Sequence, residues 1–197
     1  LSSIGDVSMA TPAARVLRRR FPKATIEWLV EAKSADVVLG NPHLDAVHVL
    51  DRNRWHVLIQ RRRYGQLLLD IGRFLHWLSK GRYDIAVDLQ GLFRSALFAV
   101  ASGAPVRIGN RRSRELSFIP LTHRVEPKPH TSRAAEHYLH LISPLGADTS
   151  DCDLEIALSP EDHAFARSLI EQHGVAGRFV ALCPATTRPQ KHWTEQG

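Results

Sequence analysis

The stretch Tyr83-Asp84-Ile85-Ala86-Val87-Asp88-Leu89 constrains the fold of this chain more than any other. Its apolar residues stand side by side instead of alternating with polar ones. A strand with one face in water alternates; a continuous apolar run suits a strand covered on both faces, the situation in a parallel sheet packed between helices. Parallel neighbours must be joined by crossovers of a dozen or more residues. The chain around this stretch is therefore expected to alternate strand and helix.

It does so along its length. Thr11 reads as a helix N-cap and Pro12 as a first helical residue. Ala13, Val16, Leu17 and Phe21 then mark one face, with Arg15, Arg18, Arg19 and Arg20 mostly outside it. Strands are predicted at 25–30 and 45–50. Leu67, Leu68, Ile71, Phe74, Leu75 and Leu78 recur at helical spacing between 60 and 80. A helix over 92–101, a strand over 106–109, a helix over 132–145 and a strand over 153–157 follow. Ser159 caps a further helix with Pro160 at its start, and a last strand covers 178–183. This rhythm predicts a doubly wound, Rossmann-like α/β fold, a parallel sheet with helices on both faces. Residues 111–131, rich in Arg, Pro and His, read as a functional loop region. The pattern restarts at Arg178, which places a domain change between 148 and 175.

With 197 residues and 44% hydrophobic content, the chain can build one full α/β domain and some extra structure. Its 23% charged content is that of a globular protein, which argues against a disordered chain. Two cysteines, Cys152 and Cys183, make neither a disulfide framework nor a metal-ligand spacing and fit a reducing compartment. No apolar run approaches the ~20 residues that span a bilayer; the best, 97–106, is broken by Ser102, Gly103 and Pro105. A net charge of +6 favours anionic partners without choosing among them. The chain opens on Leu1-Ser2-Ser3, with no initiator Met, no signal peptide and no strand ahead of its first motif. It stops at Gly197 where a helix should start, so both ends read as cut.

Ligands of open α/β sheets gather at the carboxyl ends of the strands. Four polar clusters belong there: Ser2-Ser3-Ile4-Gly5-Asp6, Arg52 with Arg54, Asp88-Leu89-Gln90-Gly91, and 186–191 with Thr186, Thr187, Arg188 and Lys191. Each has a plain alternative. Asp6 can cap a helix, and Asp88 or Gln90 can bond a turn's own backbone. In the last cluster, two threonines on a strand-to-helix loop and a lysine can cradle a diphosphate without a P-loop. The chain contains neither GxGxxG nor GxxxxGK[ST], which disfavours a dinucleotide enzyme or a Walker-type NTPase.

These motifs, in this order, resemble glycosyltransferase family 9, the lipopolysaccharide heptosyltransferases. The resemblance rests on Leu1 to Val7 (LSSIGDV), on Asp88 to Gly91 with Ser95 and Ala96, and on Ala185 to Arg188 with Lys191, His192 and Trp193. Arg18 to Pro22, Trp28 to Glu31, Asn41-Pro42-His43 and Ser113-Arg114-Glu115 also match, so it covers essentially the whole chain. The Thr-Thr-Arg…Lys-His-Trp ending is similar to heptosyltransferase I, although Cys183-Pro184 ahead of it is a mixture. Arg94 stands where the family often has Lys.

The resemblance implies a GT-B fold, two Rossmann-like domains with the reaction between them. Residues 1–158 would be the acceptor-binding domain, complete except for its first strand. Residues 159–197 would start a truncated nucleotide-sugar-binding domain. It further implies inverting transfer of heptose from ADP-heptose to the Kdo/heptose inner core, without a metal or cofactor. Asp6 would be the general base, Thr186, Thr187 and Lys191 would bind the donor, and Arg52, Arg54, Gln90 and Arg114 would bind a Kdo-lipid A type acceptor. Such an enzyme works in the cytoplasm, peripheral at the anionic inner face of the inner membrane. The 197 residues alone are not expected to turn over.

A second class stays open: a non-catalytic basic module for anionic glycolipid or nucleic acid. Arg18 to Arg20 and Arg61 to Arg63 carry the charge for it, but no recognition motif or aromatic interleaving accompanies them, and a solvated helix face is the plainer reading. His137 and His140, three apart on a predicted helix, lack a third zinc ligand at useful spacing. Trp28 and Trp77 read as core. Trp55, between Arg54 and His56, is expected to pack beside an acceptor.

Overall fold

The structure, a computed structural model, describes residues 3–113, 115–128 and 134–182. It divides into two compact units, Leu1–Ala157 and Leu158–Gly197. Unit one opens with helices α1 (Ile4–Ala10) and α2 (Pro12–Arg20), followed by strand β1 (Glu27–Glu31), a 3₁₀ turn (Ala32–Val37) and β2 (Ala46–Leu50). Helices α3 (Arg52–Gln60) and α4 (Tyr64–Lys80) lead to β3 (Ile85–Asp88) and α5 (Phe93–Ala101). Then come β4 (Val106–Asn110), β5 (His123–Val125), α6 (Ala134–Ile142) and a closing 3₁₀ turn (Ser143–Leu145). Unit two contains α7 (Pro160–Gln172).

Among the described residues the strand pairs are parallel, as the apolar run at 83–89 suggests. They form two sheets: β1 with β2, from Glu27↔Ala46 to Glu31↔Leu50, and β3-β4-β5, with Asp88↔Gly109 and Ile108↔His123 in register. Helices flank both. Ala13 and Val16 of α2 bury against Leu139 and Ile142 of α6, with Val87 of β3 and Leu89 just after it packed on them. Ile108, Val125 and Leu141 continue this core. A separate cluster joins Val7 of α1 to Val30 of β1 and to Ala35, Val37 and Val38, with Trp28 against it.

Several sequence expectations are corrected. Thr11 is not an accepting N-cap. Pro12 has no N–H to give the Ser8 carbonyl, and that carbonyl instead takes the Thr11 backbone N–H at 3.2 Å and the Thr11 hydroxyl at 2.8 Å. Thr11 thereby keeps a helical backbone, so α1 runs almost directly into α2. Within α4, Leu67, Ile71, Phe74, Leu75 and Leu78 form the inward stripe, whereas Leu68 is 70% exposed. Trp77 is 41% exposed and meets His48 edge-on, so it is not core. Trp55 packs edge-on against Phe74, an aromatic neighbour that sequence spacing could not reveal.

The irregular region contains β5, a short strand recruited by β4. Residues 153–157 join no ladder, because side chains hold them. Arg15 grips both carboxylate oxygens of Asp151 at 2.7 and 3.1 Å, Glu155 at 2.9 Å and the Asp153 carbonyl at 2.8 Å. The Glu155 backbone N–H donates to the Thr11 hydroxyl at 3.2 Å. In unit two, Ser159 caps α7 in a reciprocal box with Asp162, with Pro160 at the first turn as expected. Residues 178–182 find no partner strand among the described residues of their unit and form no ladder.

Leu139 is 1% exposed at the α2–α6 contact. Leu139→Ala should lower the unfolding free energy by ~2–5 kcal/mol in urea titration. Leu68→Ala, at an exposed site of α4, should stay within about 0.5 kcal/mol of wild type.

Candidate functional site

Ser3 begins α1 and reaches forward to its first turn. The Asp6 N–H donates to the Ser3 hydroxyl at 3.4 Å, and the Ser3 N–H and hydroxyl donate back to Asp6 Oδ2 at 3.3 and 2.9 Å. This capping box is the plain reading of Asp6, and it is present. It also leaves Oδ1 pointing elsewhere. There Tyr138 of α6, 132 positions along the chain, donates its hydroxyl at 3.4 Å. Burial, reinforced by the charge of Asp6 and this hydrogen bond, pushes the Tyr138 phenol up to about 12, so it stays a donor at any ordinary pH.

A carboxylate offers about four acceptor positions. Two on Oδ2 go to Ser3 and one on Oδ1 to Tyr138, so the remaining position lies on Oδ1. Asp6 is solvent-exposed, and it lines a cavity of ≈ 830 Å³ that Tyr138, Asp88 and Gln90 also line.

Asp88 ends β3. Its Oδ1 accepts the N–H groups of Gln90 and Gly91, both at 3.0 Å, which turns the chain sharply toward α5. Gly91 takes φ +67°, and a Cβ there would lie 3.1 Å from Ser113 Cβ. Across the ladder, Gly109 leaves room for the same corner: a Cβ on it would meet Leu121 at 2.8 Å and the Asp88 carbonyl at 3.3 Å. At the start of α5, the Ser95 hydroxyl accepts the Leu92 N–H at 3.1 Å. Asp88 Oδ2 is buried without a hydrogen-bond partner. Burial raises the Asp88 carboxyl above the usual range, against the backbone N–H groups that favour its charge.

The structure therefore brings Asp6 and the Asp88–Gln90 corner to one cavity. Arg52 and Arg54 do not line it. Arg52 pairs with Glu31 at 2.7 Å and Arg54 with Asp70 at 2.7 Å, both on the face of α3. Arg114, Ser2, Thr186, Thr187, Arg188 and Lys191 lie outside the described residues. No group of three or more His, Cys, Asp or Glu is placed to hold a metal among the described residues. Burial and the neighbouring His140 push the His137 imidazole down. Tyr138 is the residue that sequence reading missed. Nothing in its local spacing marks it, because its role comes from the packing of α6 beside α1.

The sequence pattern of glycosyltransferase family 9 (heptosyltransferase) matches residues 71–197. Lipopolysaccharide heptosyltransferase 1 of Pseudomonas aeruginosa is 26% identical over 195 residues, 98% of this chain and 53% of that protein. The Salmonella typhimurium protein of the same name is 25% identical over 197 residues, 98% of this chain and 59% of that protein. A solved family 9 glycosyltransferase from Veillonella parvula has a TM-score of 0.78 at 25% identity, over 99% of this chain and 55% of that one. The E. coli heptosyltransferase WaaC, solved with ADP-2-deoxy-2-fluoro heptose, has a TM-score of 0.69 at 24% identity, over 99% and 60%. The chain thus spans little more than half the length of these relatives, and its α/β fold is of the GT-B class.

Because Asp88 holds its proton more tightly folded than unfolded, stability is greatest below the unfolded value, about 3.9, and falls as pH rises through the folded one. Asp88→Asn removes this dependence. Urea midpoints taken from pH 4 to 7 should therefore shift in favour of the variant as pH rises; a constant offset between the two proteins would contradict the burial argument.

Proposed function

The chain belongs to glycosyltransferase family 9, and from that premise we propose that it serves heptose transfer in the building of the lipopolysaccharide inner core. The observation that carries this reading is the family match over residues 71–197, continued by curated heptosyltransferases aligned over 98% of the chain. The donor is ADP-heptose, a reading supported by the WaaC structure solved with an ADP-heptose analogue. The acceptor is a Kdo-lipid A type inner core. Residues 1–158 form the acceptor-binding domain and residues 159–197 belong to the nucleotide-sugar-binding domain.

In this mechanism an acceptor hydroxyl attacks the anomeric carbon with inversion. Its proton passes to Asp6, and the bond to ADP breaks with its electron pair leaving on the diphosphate. The position left on Asp6 Oδ1 suits that proton transfer, while Ser3 and Tyr138 hold the carboxylate in place. Thr186, Thr187 and Lys191 bind the donor diphosphate and stabilise the charge it gains. Gln90 shares the cavity with Asp6 and binds acceptor. Arg52, Arg54 and Arg114 meet acceptor carboxylates and phosphates, for which a guanidinium fork is well shaped. For Arg52 and Arg54 this requires giving up the pairs with Glu31 and Asp70. Glu31 is buried and the Asp70 side chain is 12% exposed, so giving up either pair carries a cost that the acceptor's own charge must offset. The enzyme acts at the cytoplasmic face of the inner membrane. No described helix is long and apolar enough to cross a membrane, and the basic surface meets anionic lipid instead.

The reading is tested with full-length protein by transfer from ADP-heptose to Kdo₂-lipid A, with a panel of other nucleotide sugars as control. Asp6→Asn should lower turnover by about 10²–10⁴ while ADP-heptose affinity by calorimetry is unchanged; near-normal turnover would remove Asp6 from the base role. Lys191→Ala should weaken donor binding in the same titration. The 197 residues alone should give no turnover.

A further inference from the structure

The sequence carries two runs of three arginines, 18–20 and 61–63, and the fold treats them differently. The first run is taken up by the chain itself. Arg18 pairs with Asp45 and donates to the Ala24 carbonyl at 2.6 Å. Arg19 pairs with Asp151 at 2.8 Å, and Arg20 donates to the Leu145 carbonyl at 3.3 Å and lies over the Phe21 ring. Arg61, Arg62 and Arg63 are all exposed, and none makes an ion pair among the described residues.

These three form the tip between α3 and α4. The Arg62 N–H donates to the Ile59 carbonyl at 3.0 Å and the Arg63 N–H to the Leu58 carbonyl at 2.9 Å. Arg62 has φ 53°, the left-handed position of a helix-ending motif where glycine is the usual and least strained residue. One basic residue would complement the C-terminal dipole of α3. Three, with one of them where glycine fits best, are more charge than the helix end requires.

Apolar side chains flank this charge on both helices. Val57 and Ile59 of α3 and Tyr64, Leu68 and Leu69 of α4 are between 41% and 70% exposed. Isolated exposed apolar residues need no explanation. Here five accompany three cations, and residues 52–69 contain no Asp or Glu. The helices are held together by Arg54–Asp70 and Trp55–Phe74, so their ends share one surface. None of residues 57–69 lines the cavity that holds Asp6. A second copy of the chain suits this surface poorly, because a two-fold interface would face the arginines of one copy with those of the other. Nucleic acid would meet the cations but leave the aliphatic side chains without partners, and only Tyr64 could stack on a base. The headgroup layer of an anionic bilayer supplies phosphates for the guanidinium groups and hydrocarbon for the aliphatic side chains.

We propose that the α3–α4 tip, residues 57–69, docks this protein on an anionic membrane. Arg61, Arg62 and Arg63 meet headgroup phosphates, and Ile59, Leu68 and Leu69 enter the layer beneath them. The nine residues of α3, about 14 Å of helix, separate the tip from Arg52 and Arg54. Docking therefore holds the arginines proposed to meet acceptor close to the surface in which a lipid-linked acceptor is anchored. It rests on the membrane location proposed above and leaves the chemistry of the candidate site untouched.

Co-sedimentation of the full-length protein with vesicles tests it. Wild type should bind equal parts phosphatidylcholine and phosphatidylglycerol but not phosphatidylcholine alone, and added salt should release it. Arg61→Ser, Arg62→Gly and Arg63→Ser together should weaken binding by about 10²-fold, at roughly fivefold per arginine. Leu68→Ser with Leu69→Ser should weaken it by about tenfold or more. Arg20→Gln, Lys23→Gln and Lys128→Gln together remove the same charge elsewhere and should change it by no more than about threefold. Transfer to a detergent-dispersed acceptor should be unchanged in all of these. If wild type transfers nothing, the reaction reading fails while the sedimentation result stands. Tip variants that bind like wild type, a distant-charge variant that loses as much as the arginine variant, or wild type that binds neither vesicle overturns the docking surface. So does vesicle binding that persists while the tip variants lose affinity for duplex DNA or fall from dimer to monomer.

Discussion

Ala13 and Val16 of α2 meet Leu139 and Ile142 of α6 in a buried cluster, with Val87 of β3 and the following Leu89 packed against it, and the described residues of the candidate site are carried by these three elements or by α1, joined to α2. Asp6 is carried by α1, which Thr11 joins to α2 with almost no break. Tyr138 sits one residue before the buried Leu139. Asp88 ends the strand that contributes Val87. The Tyr138–Asp6 contact therefore follows from apolar packing, since the helices would meet here whether or not the two polar groups touched. Small side chains set how closely they approach: Ala13 and Ala14 are both 1% exposed.

Polar groups do different work at the periphery. Arg15, 12% exposed, ties α2 to Asp151 and Glu155, and His43 reaches the same Glu155 at 3.1 Å. These contacts hold the last residues of unit one by bidentate geometry and shared partners, where an isolated surface pair would contribute little. At the other end of the sheets, Tyr83 and His48 converge on Glu27. Carboxylates thus act as fasteners between elements, as Glu31 and Asp70 also do for α3. At Asp88, among the described residues, one carboxylate oxygen is buried without a hydrogen-bond partner. The same corner needs glycine at 91 for its left-handed turn and at 109 for close approach, so backbone geometry, ahead of charge, fixes where that carboxylate stands.

Much of this was legible in the sequence, and the failures have causes. Strands 27–31, 46–50, 85–88 and 106–110 fall within a residue or two of their predicted places, because burial on both faces writes itself as apolar runs. The helix start at Ser159 and Pro160 is local chemistry and was readable as such. β5 was not, because three residues of ordinary composition become a strand only when β4 offers an edge. Residues 153–157 failed in the opposite sense. They have strand-like composition, but Arg15, more than 130 positions away, takes them up by side-chain bonds before any ladder can. Trp77 fared no better, since its indole stays 41% exposed and meets the edge of His48.

By itself the sequence determined the α/β class, the parallel sense of the strands, the family and the nomination of Asp6 and the Asp88–Gly91 turn. These depend on local pattern: apolar runs, caps, turns and motif order. Tertiary structure alone decided that Tyr138 meets Asp6, that Arg52 and Arg54 are engaged by Glu31 and Asp70, and that Asp6 and Asp88 line one cavity. Such facts join residues far apart in the chain, and their positions are set by how helices of particular side-chain size pack on a sheet, which no local spacing encodes.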